Sequence, residues 1–220
     1  MSERILGLDE AGRGSVLGPL VVGGFCCEVD DLPEVVAVGA RDSKRLSPER
    51  RSEVYAHLAA IGTRRSVALA PRTIDRYVAD GRLNELELEA FARIVRALRP
   101  DVAFVDACDP NAERFGRKLE ALAGGSTRVD SRHKADRDLP VVGAASIVAK
   151  VRRDAALVAL GRRVAESLGT GYPSDPETQA CVERHAADGG RVPTWMRRSW
   201  ATVQRVKRRR PARTLEQYAP

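Results

Sequence analysis

Cysteine, histidine and aromatic residues are scarce in this sequence. Its 220 residues include four cysteines and three histidines, and aromatic residues make up 5% of the chain. The cysteines form no CxxC pair and have no zinc-ligand spacing to the histidines, which argues against a disulfide scaffold and a zinc site. We therefore expect a reducing compartment and a fold held together by its own hydrophobic core, for which this length is sufficient.

Long hydrophobic runs are missing as well. No stretch approaches the roughly 18 apolar residues that a membrane span requires. The first ten residues lack the apolar segment of a signal peptide. The composition, with 43% hydrophobic and 30% charged residues, is typical of a globular domain. We expect a cytoplasmic protein that is not associated with a membrane.

Acidic residues are absent from one basic segment near the C-terminus. The formal net charge is +7, and residues 191–213 contribute nine Lys and Arg residues with no Asp or Glu. The rest of the chain is therefore slightly acidic. A basic segment of this kind predicts contact with a polyanion such as nucleic acid. The alternative interpretation is a solvated tail.

Apolar periodicity predicts an α/β domain with a helical C-terminal part. We predict strands for RILGLD, PLVVGGFCCEV, RRSVALA, DVAFVDA and STRVDSR. Helices are predicted after the caps Ser47 and Asp109, from Thr73, over NELELEAFARIVRALRP, over residues 140–168, and over TQACVERHAADGG and RRSWATVQRV. Because strands dominate the first half and helices the second, we expect an α/β core followed by helices.

Two predicted strands end in aspartate. The run ILGLD ends at Asp9 and VAFVD ends at Asp106, and open α/β sheets build their sites at the carboxyl ends of strands. We expect Asp9 to end its strand and Glu10 to begin the turn, so that Glu10 can curl back to the same side. Neighbouring carboxylates repel one another unless a cation is bound, and oxygen ligands select Mg²⁺ or Mn²⁺. The alternative is that each aspartate only caps a loop.

Six motifs occur in a fixed order along the chain. They are GLDEAGRGSVLGPLVV, DSKRLSP, FVDACDP, HKADRDLPVVGAASIVAKVRRD, GYPSDP and RRSWATV. Together they resemble the ribonuclease HII family, in its archaeal branch, over residues 7–203. The resemblance implies a ribonuclease H-like α/β fold with a mixed five-stranded sheet flanked by helices. We assign residues 1–160 to the catalytic core, 161–207 to a helical C-terminal region and 208–220 to a flexible basic tail.

The resemblance also implies an activity. The expected substrates are RNA–DNA hybrids, in which the RNA strand is hydrolysed, and duplex DNA with an embedded ribonucleotide, which is cut on the 5′ side of that ribonucleotide. The products carry a 3′-hydroxyl and a 5′-phosphate. The expected cofactors are two divalent cations, Mg²⁺ or Mn²⁺, one activating a water and one stabilising the leaving oxygen. Archaeal and bacterial relatives usually act as monomers, so we expect a monomer here.

The family's four catalytic and metal-binding acids match positions in three of the motifs. These positions are Asp9, Glu10, Asp106 and Asp136. Asp130 and Asp138 lie close to the fourth position. We choose Asp136 because it precedes AASIVAK at the spacing of the family.

The resemblance further implies how a ribonucleotide is recognised. The family's Gly-Arg-Gly loop, carried here by Gly12, Arg13 and Gly14, approaches the 2′-hydroxyl, a group that both donates and accepts hydrogen bonds. Glycines allow a backbone to come this close to a sugar. The family's tyrosine matches Tyr172, which is implied to stack on the sugar of the deoxynucleotide that follows the ribonucleotide.

Three further residues are candidate phosphate or active-site contacts. Lys44 lies in the DSK motif, and Ser146 and Lys150 lie four residues apart on a predicted helix, where they share a face. The alternatives are solvated surface charges for the two lysines and a packing role for Ser146.

The C-terminal part of the chain carries two more predictions. We expect Trp195 and Trp200 to pack the last helix onto the domain. The final RTLEQYAP resembles a sliding-clamp-binding peptide, although Ala212 stands at the usual glutamine position and Tyr218 supplies the only aromatic ring. A sliding clamp is therefore a candidate partner.

Two other functions compete with this interpretation. A non-catalytic nucleic-acid-binding module would need the basic tail alone, and four acids would repel phosphate unless a metal were bound. Another metal nuclease of the ribonuclease H-like class, such as a junction resolvase or an exonuclease, would share the strand-borne acids. It would not need the GRG and GYPSDP motifs.

Overall fold

A five-stranded mixed sheet forms the centre of the molecule in the computed structural model, which describes residues 2–40, 46–187 and 191–208. The strands are β1 Arg4–Ala11, β2 Leu20–Glu28, β3 Thr63–Leu69, β4 Val102–Asp106 and β5 Arg128–Arg132. Their spatial order is β3-β2-β1-β4-β5. Strand β2 is antiparallel to both β1 and β3, whereas β1, β4 and β5 are parallel to one another. The predicted mixed five-stranded sheet is confirmed.

Helices cover the sheet and form most of the second half of the chain. They are α1 Leu32–Ala37, which follows a 3₁₀ turn at Val29–Asp31, α2 Pro48–Ile61, α3 Pro71–Ala79, α4 Leu83–Leu98, α5 Ala112–Ala123, α6 Ala135–Asp138, α7 Pro140–Val164, α8 Pro176–Ala186 and α9 Ala201–Arg208. Among the residues described, no helix has both the length and the apolar character needed to cross a membrane.

The local sequence predicts one helix start correctly and another wrongly. Helix α2 begins after Ser47, whose side chain accepts a hydrogen bond from the Arg50 N–H, as predicted. The prediction that Asp109 caps α5 is wrong. Asn111 is the cap, and the Asp109 carboxylate instead accepts the Asn111 N–H and the Arg114 guanidinium, so a turn precedes the helix.

Glycines bring helix α7 unusually close to the sheet. Alternate residues of β1 face α7, and a Cβ added at Gly7 would lie 2.0 Å from the Val141 carbonyl oxygen. On β2, a Cβ at Gly23 would lie 2.6 Å from the Ala145 carbonyl oxygen. The missing side chains therefore let the backbone of α7 rest directly on the two strands. This contact sets the position of α7 relative to the end of β1.

The opposite face of the sheet packs against α4 and α5. Leu6 and Leu8 of β1 lie in one buried cluster with Phe91 of α4 and Phe115 of α5. The two rings meet edge to face, with centroids 6.0 Å apart. Residues of β1 with even numbers are therefore directed to α4, and those with odd numbers to α7.

The C-terminal helices share a third buried cluster with the loop after β1. Val16 and Leu17 pack there with Met196 and Val203, and both tryptophans, Trp195 and Trp200, are partly buried against the cluster. The expected packing role of the tryptophans is confirmed. The C-terminal part is thereby attached to the segment that follows Asp9 and Glu10.

Polar contacts also join α8 to the end of α7. Glu166 accepts hydrogen bonds from Arg184, and its Oε2 lies 2.6 Å from Nε2 of His185, in a group that includes the buried Cys181. The spacing of Cys181 and His185, one helical turn apart, did not indicate this grouping because Glu166 comes from a different segment. The predicted domain boundary between residues 160 and 161 falls inside α7, and we retain the division into 1–160, 161–207 and 208–220 as a proposal.

Candidate active site

Three carboxylates converge where β1 and β4 end. Asp9 of β1, Asp106 of β4 and Asp136 of α6 each place one carboxylate oxygen within 4.8 Å of the others. Asp9 is 6% exposed and Asp136 is 3% exposed, whereas Asp106 is half-buried. A donor set made only of carboxylate oxygens suits a hard divalent cation such as Mg²⁺ or Mn²⁺. The residues present therefore fit the metal that the sequence predicts.

Asp9 is held in an environment that disfavours its charge. Burial, together with the nearby charge of Asp106, raises the pKa of Asp9 to about 7, although a hydrogen bond with Ser146, the Glu10 N–H and the charge of Lys150 act in the opposite direction. The Glu10 N–H lies 2.8 Å from Asp9 Oδ1. A bound cation would favour the ionised form, because it offsets both the burial and the repulsion from Asp106.

Glu10 does not begin a turn, which corrects the sequence-based expectation. Strand β1 continues to Ala11 because Glu10 and Ala11 still pair with Val22 and Val21 of β2. Strand alternation then directs Glu10 to the α4 side, where burial and the charges of Asp9 and Glu87 raise its pKa. Within the described part of the chain, Glu10 is not a member of the three-carboxylate group. Its role as a metal ligand stays a prediction.

A left-handed turn brings Asp136 to Asp106. Lys134 precedes α6 with a φ of 62°, and its N–H donates to Asp106 Oδ1 at 2.7 Å. The structure therefore groups Asp136 with Asp9 and Asp106. The two nearby alternatives, Asp130 and Asp138, are not members of this group. Asp130 accepts the Arg132 Nε–H at 2.8 Å, and Asp138 is exposed.

Helix α7 supplies polar side chains to the same place. Ser146 is buried, and its Oγ accepts a hydrogen bond from Lys150 Nζ at 2.7 Å. Both residues influence the pKa of Asp9, which indicates that they lie beside the carboxylates. The third candidate contact, Lys44, falls outside the described residues.

The segment after β1, which we call the glycine loop (residues 12–18), turns at Gly12, where φ is +86°. The Arg13 guanidinium is not free in this loop. It forms an ion pair with Glu87 of α4, and its Nη2 donates to Asn84 Oδ1 at 2.6 Å. Gly14 borders open space, because a Cβ added there would have no atom within 4 Å.

Glu87 and Asn84 were missed by sequence reasoning. Glu87 is 0% exposed, and burial raises its pKa while the charge of Arg13 lowers it. The available signal was its position between Leu86 and Leu88 on an amphipathic helix, since an acid on the buried face needs a partner. The partner lies 74 residues away along the chain, so no local pattern could identify it.

Tyr172 lies in a second loop (residues 169–175, the tyrosine loop), which is hydrogen-bonded to the glycine loop. The Gly171 carbonyl accepts the N–H groups of Val16 and Leu17, at 2.8 and 3.2 Å, and the Ser15 hydroxyl at 2.8 Å. The structure therefore brings together the Gly-Arg-Gly segment and Tyr172, which are far apart in sequence.

Arg153 of α7 supports this junction and was also missed. It is buried, and its Nη2 donates to Ser15 Oγ at 2.7 Å and to the Thr170 carbonyl at 2.6 Å. Its guanidinium carbon lies 4.7 Å from the centroid of the Tyr172 ring. Arg153 thus ties α7, the glycine loop and the tyrosine loop to one another.

The chain is similar to known proteins over most of its length. The family model described as Ribonuclease HII matches residues 6–203. The Ribonuclease HII of Methanocella arvoryzae is 41% identical over 203 residues, covering 92% of this chain and 91% of the relative. That of Thermococcus kodakarensis is 39% identical over 206 residues, covering 92% and 89%.

Solved structures show the same fold. The structure of the PCNA:RNase HII complex from Archaeoglobus fulgidus matches with a TM-score of 0.84 at 38% identity, covering 94% of this chain and 98% of the other. Bst-RNase HIII in complex with Mn²⁺ matches with a TM-score of 0.77 at 21% identity, covering 95% and 71%, which supports the fold alone. With the family model and these relatives spanning nearly its whole length, the chain belongs to the ribonuclease HII family of metal-dependent endonucleases that act on RNA–DNA hybrids.

Proposed function

We propose that this chain cuts duplex DNA on the 5′ side of a single embedded ribonucleotide and hydrolyses the RNA strand of RNA–DNA hybrids, leaving a 3′-hydroxyl and a 5′-phosphate. One observation carries the proposal. The three-carboxylate group and the paired glycine and tyrosine loops lie next to each other, because Asp9 and Gly12 are separated by only two residues of the same segment. The carboxylates, which would hold the cations for phosphodiester cleavage, and the loop backbone, which is suited to contact a ribose, would thus act on adjacent positions of one strand.

Asp9, Asp106 and Asp136 would hold the divalent cations, with Glu10 as the fourth acid. When bound, two cations supply an activated water near neutral pH and stabilise the leaving 3′-oxygen. The chain's own contribution is to hold the carboxylates in fixed positions, through the Lys134 N–H on Asp106 and the Glu10 N–H on Asp9. Lys150 adds a positive charge beside them and would contact phosphate.

Ribose recognition would use the backbone of the glycine loop. A 2′-hydroxyl needs both a donor and an acceptor, and backbone N–H and carbonyl groups offer both where no Cβ intervenes. Gly14 is exposed, and a Cβ added there would have no atom within 4 Å. Tyr172 would stack beside the next sugar, held by the guanidinium of Arg153.

A cleavage assay tests the proposal against its alternatives. The substrates are a DNA duplex with one ribonucleotide, the same duplex made only of DNA, and a long RNA–DNA hybrid, each with Mg²⁺ or with a chelator. We expect Mg²⁺-dependent cleavage of the first and third substrates only. Cleavage of the all-DNA duplex would instead indicate a different nuclease of the same fold, and binding without cleavage would indicate a non-catalytic module.

Replacing Tyr172 with alanine is expected to reduce cleavage at a single ribonucleotide more than cleavage of a long hybrid. The reason is that only the single ribonucleotide is followed by a deoxynucleotide sugar that the ring would sense. Initial rates on the two substrates measure the effect. We expect a loss of about tenfold or more on the first, taking the contact of the ring with the sugar as comparable to stacking on one base, which contributes about 1–3 kcal/mol. Tyr172→Phe, which keeps the ring, is the matched control. Equal losses on both substrates would contradict the junction-sensing role.

The tail offers a separate proposal about partners. The Archaeoglobus fulgidus relative is described in a complex with PCNA, and the clamp-like RTLEQYAP of this chain lies outside the described residues. We propose that this segment binds a sliding clamp, with Leu215 and Tyr218 entering an apolar groove. Removing residues 211–220 should abolish clamp binding in a pull-down and leave cleavage of the ribonucleotide duplex unchanged. Undiminished clamp binding would refute the proposal.

We also propose that the enzyme acts as a monomer in the cytoplasm.

A further inference from the structure

We propose that Arg197 and Trp200 are positioning residues that hold the carbonyl groups of the glycine loop, so that the C-terminal segment (residues 191–208) takes part in distinguishing a ribonucleotide from a deoxynucleotide. The inference rests on the proposed function, because it assigns these side chains a part in ribose recognition. Neither residue belongs to the three-carboxylate group. They contact the glycine loop from 184 and 186 residues away along the chain.

Arg197 is a buried cation directed at backbone oxygens. It is 0% exposed, and its Nη1 donates to the Arg13 carbonyl at 2.8 Å while its Nε donates to the Gly18 carbonyl at 3.3 Å. Its Nη2 is buried with no hydrogen-bond partner among the described residues. Burial lowers the pKa of Arg197 to about 9, and neighbouring Arg153 acts in the same direction.

A guanidinium in such a place is costly for the fold. Burying a charge is unfavourable when, as among the described residues here, no carboxylate is bonded to it directly. Departures from simple packing rules are typical of functional sites. The contacts that Arg197 does make are with the two ends of the glycine loop, at Arg13 and Gly18, and these point to loop geometry as its function.

Trp200 completes the arrangement. Its indole N–H donates to the Gly14 carbonyl at 3.3 Å, and the Arg197 guanidinium lies 4.8 Å from the centre of its ring. The two side chains therefore support each other and together hold three carbonyls of one loop. The Trp195 side chain, by contrast, packs edge to face with His185, with ring centroids 5.1 Å apart, while its backbone carbonyl, which a side-chain substitution keeps, accepts the Gly18 N–H at 2.9 Å.

Holding these carbonyls also directs the N–H groups of the loop. A peptide group is planar, so fixing the Arg13 carbonyl fixes the direction of the Gly14 N–H, whereas the Ser15 N–H already donates to the Gly12 carbonyl at 3.2 Å. Glycine residues leave a backbone free to rotate, so such a loop needs external contacts to keep one conformation. A donor or acceptor that rotates away cannot select a 2′-hydroxyl, which is the physical link to specificity.

The segment that carries both residues is itself anchored. Asp75 of α3 accepts the N–H groups of Arg198 and Ser199, at 3.0 and 2.9 Å, and the Ser199 hydroxyl at 2.6 Å. The Arg197 N–H donates to the Val16 carbonyl at 2.9 Å. Because these contacts do not involve the side chains of Arg197 and Trp200, conservative variants of those side chains should leave the segment in place.

The test uses Arg197→Lys and Trp200→Phe in the full-length protein. Lysine keeps the charge but not the fork of donors, and phenylalanine keeps the ring but not the indole N–H. Arg184→Lys on α8 and Trp195→Phe are the matched controls. For each protein, kcat and KM are measured on a duplex with one ribonucleotide, together with the inhibition constant of the all-DNA duplex and the thermal midpoint.

For the wild type, we expect KM for the ribonucleotide duplex to be lower than the inhibition constant of the all-DNA duplex. In both variants we expect the ratio of the inhibition constant to KM to fall by about tenfold, because one hydrogen bond contributes about that much. KM should rise, and the inhibition constant should stay unchanged. A merely structural role would lower the amount of active enzyme and the thermal midpoint but leave the gap as it is.

The two possible failures can be told apart. If the wild type does not cleave at the ribonucleotide, or cleaves all-DNA duplex equally well, the proposed function fails. If the wild type discriminates and both variants retain the full gap, the assignment of Arg197 and Trp200 is wrong while the proposed function stands. If Arg197→Lys alone fails to fold, Trp200→Phe decides the outcome.

Discussion

Asp106→Asn is expected to fold like the wild type and to lose cleavage of the ribonucleotide duplex by about 10²–10³-fold or more. The substitution removes one negative charge from the three-carboxylate group and so weakens the hold on divalent cations. The fold should persist because the asparagine oxygen can still accept the Lys134 N–H that anchors α6. Initial rates over a series of Mg²⁺ concentrations, with the thermal midpoint measured in parallel, check both parts.

The matched control for this variant is Asp138→Asn. Asp138 lies on the same short helix as Asp136, but its side chain is exposed and is not a member of the carboxylate group. The same loss of charge should therefore leave the cleavage rate within about twofold of the wild type, because solvent and salt screen the charge of an exposed side chain. Near-normal cleavage by Asp106→Asn at equal Mg²⁺, or an equal loss in both variants, would contradict the assignment.

Gly7→Ala is expected to destabilise the protein by about 1–3 kcal/mol, and to reduce activity along with stability. The added Cβ would meet the Val141 carbonyl oxygen at 2.0 Å, which is backbone and cannot rotate away as a side chain could. Helix α7 must then move off the sheet. Because α7 also carries Ser146 and Lys150, the movement would displace the polar groups beside Asp9. Urea unfolding measures the free energy of unfolding.

Gly14→Ala is the control for Gly7→Ala, because it also replaces a glycine of the same region but introduces no steric clash. A Cβ at Gly14 has no atom within 4 Å, and Gly14 does not have the positive φ that favours glycine. The free energy of unfolding should therefore be unchanged or slightly higher. If the free energy of unfolding of Gly7→Ala equalled that of the wild type and that of Gly14→Ala, this result would contradict the close contact between α7 and β1.

Local pattern was enough to predict most of the elements and part of the site. Short apolar runs bounded by turn residues marked most of the strands, and Ser47 marked the start of α2, because these features depend on neighbours within a few positions. The hypothesis that Asp9 and Asp106 come together rested on the apolar run before each of them, and the structure shows that the strands carrying them are adjacent and parallel. The cap of α5 was misplaced by two residues, because Asp109, Pro110 and Asn111 offer competing turn signals.

Short-range patterns along the chain indicate the succession of most strands and helices, the acids near the ends of β1 and β4, and the resemblance to the ribonuclease HII family. Contacts between distant segments show that β1 continues past Glu10 in its pairing with β2, that Glu87 pairs with Arg13, and that Arg197 and Trp200 contact the glycine loop. The reason is the reach of the forces involved. Periodicity records whether a position is buried, but the partner of a buried charge is chosen by packing between segments 74 to 184 residues apart.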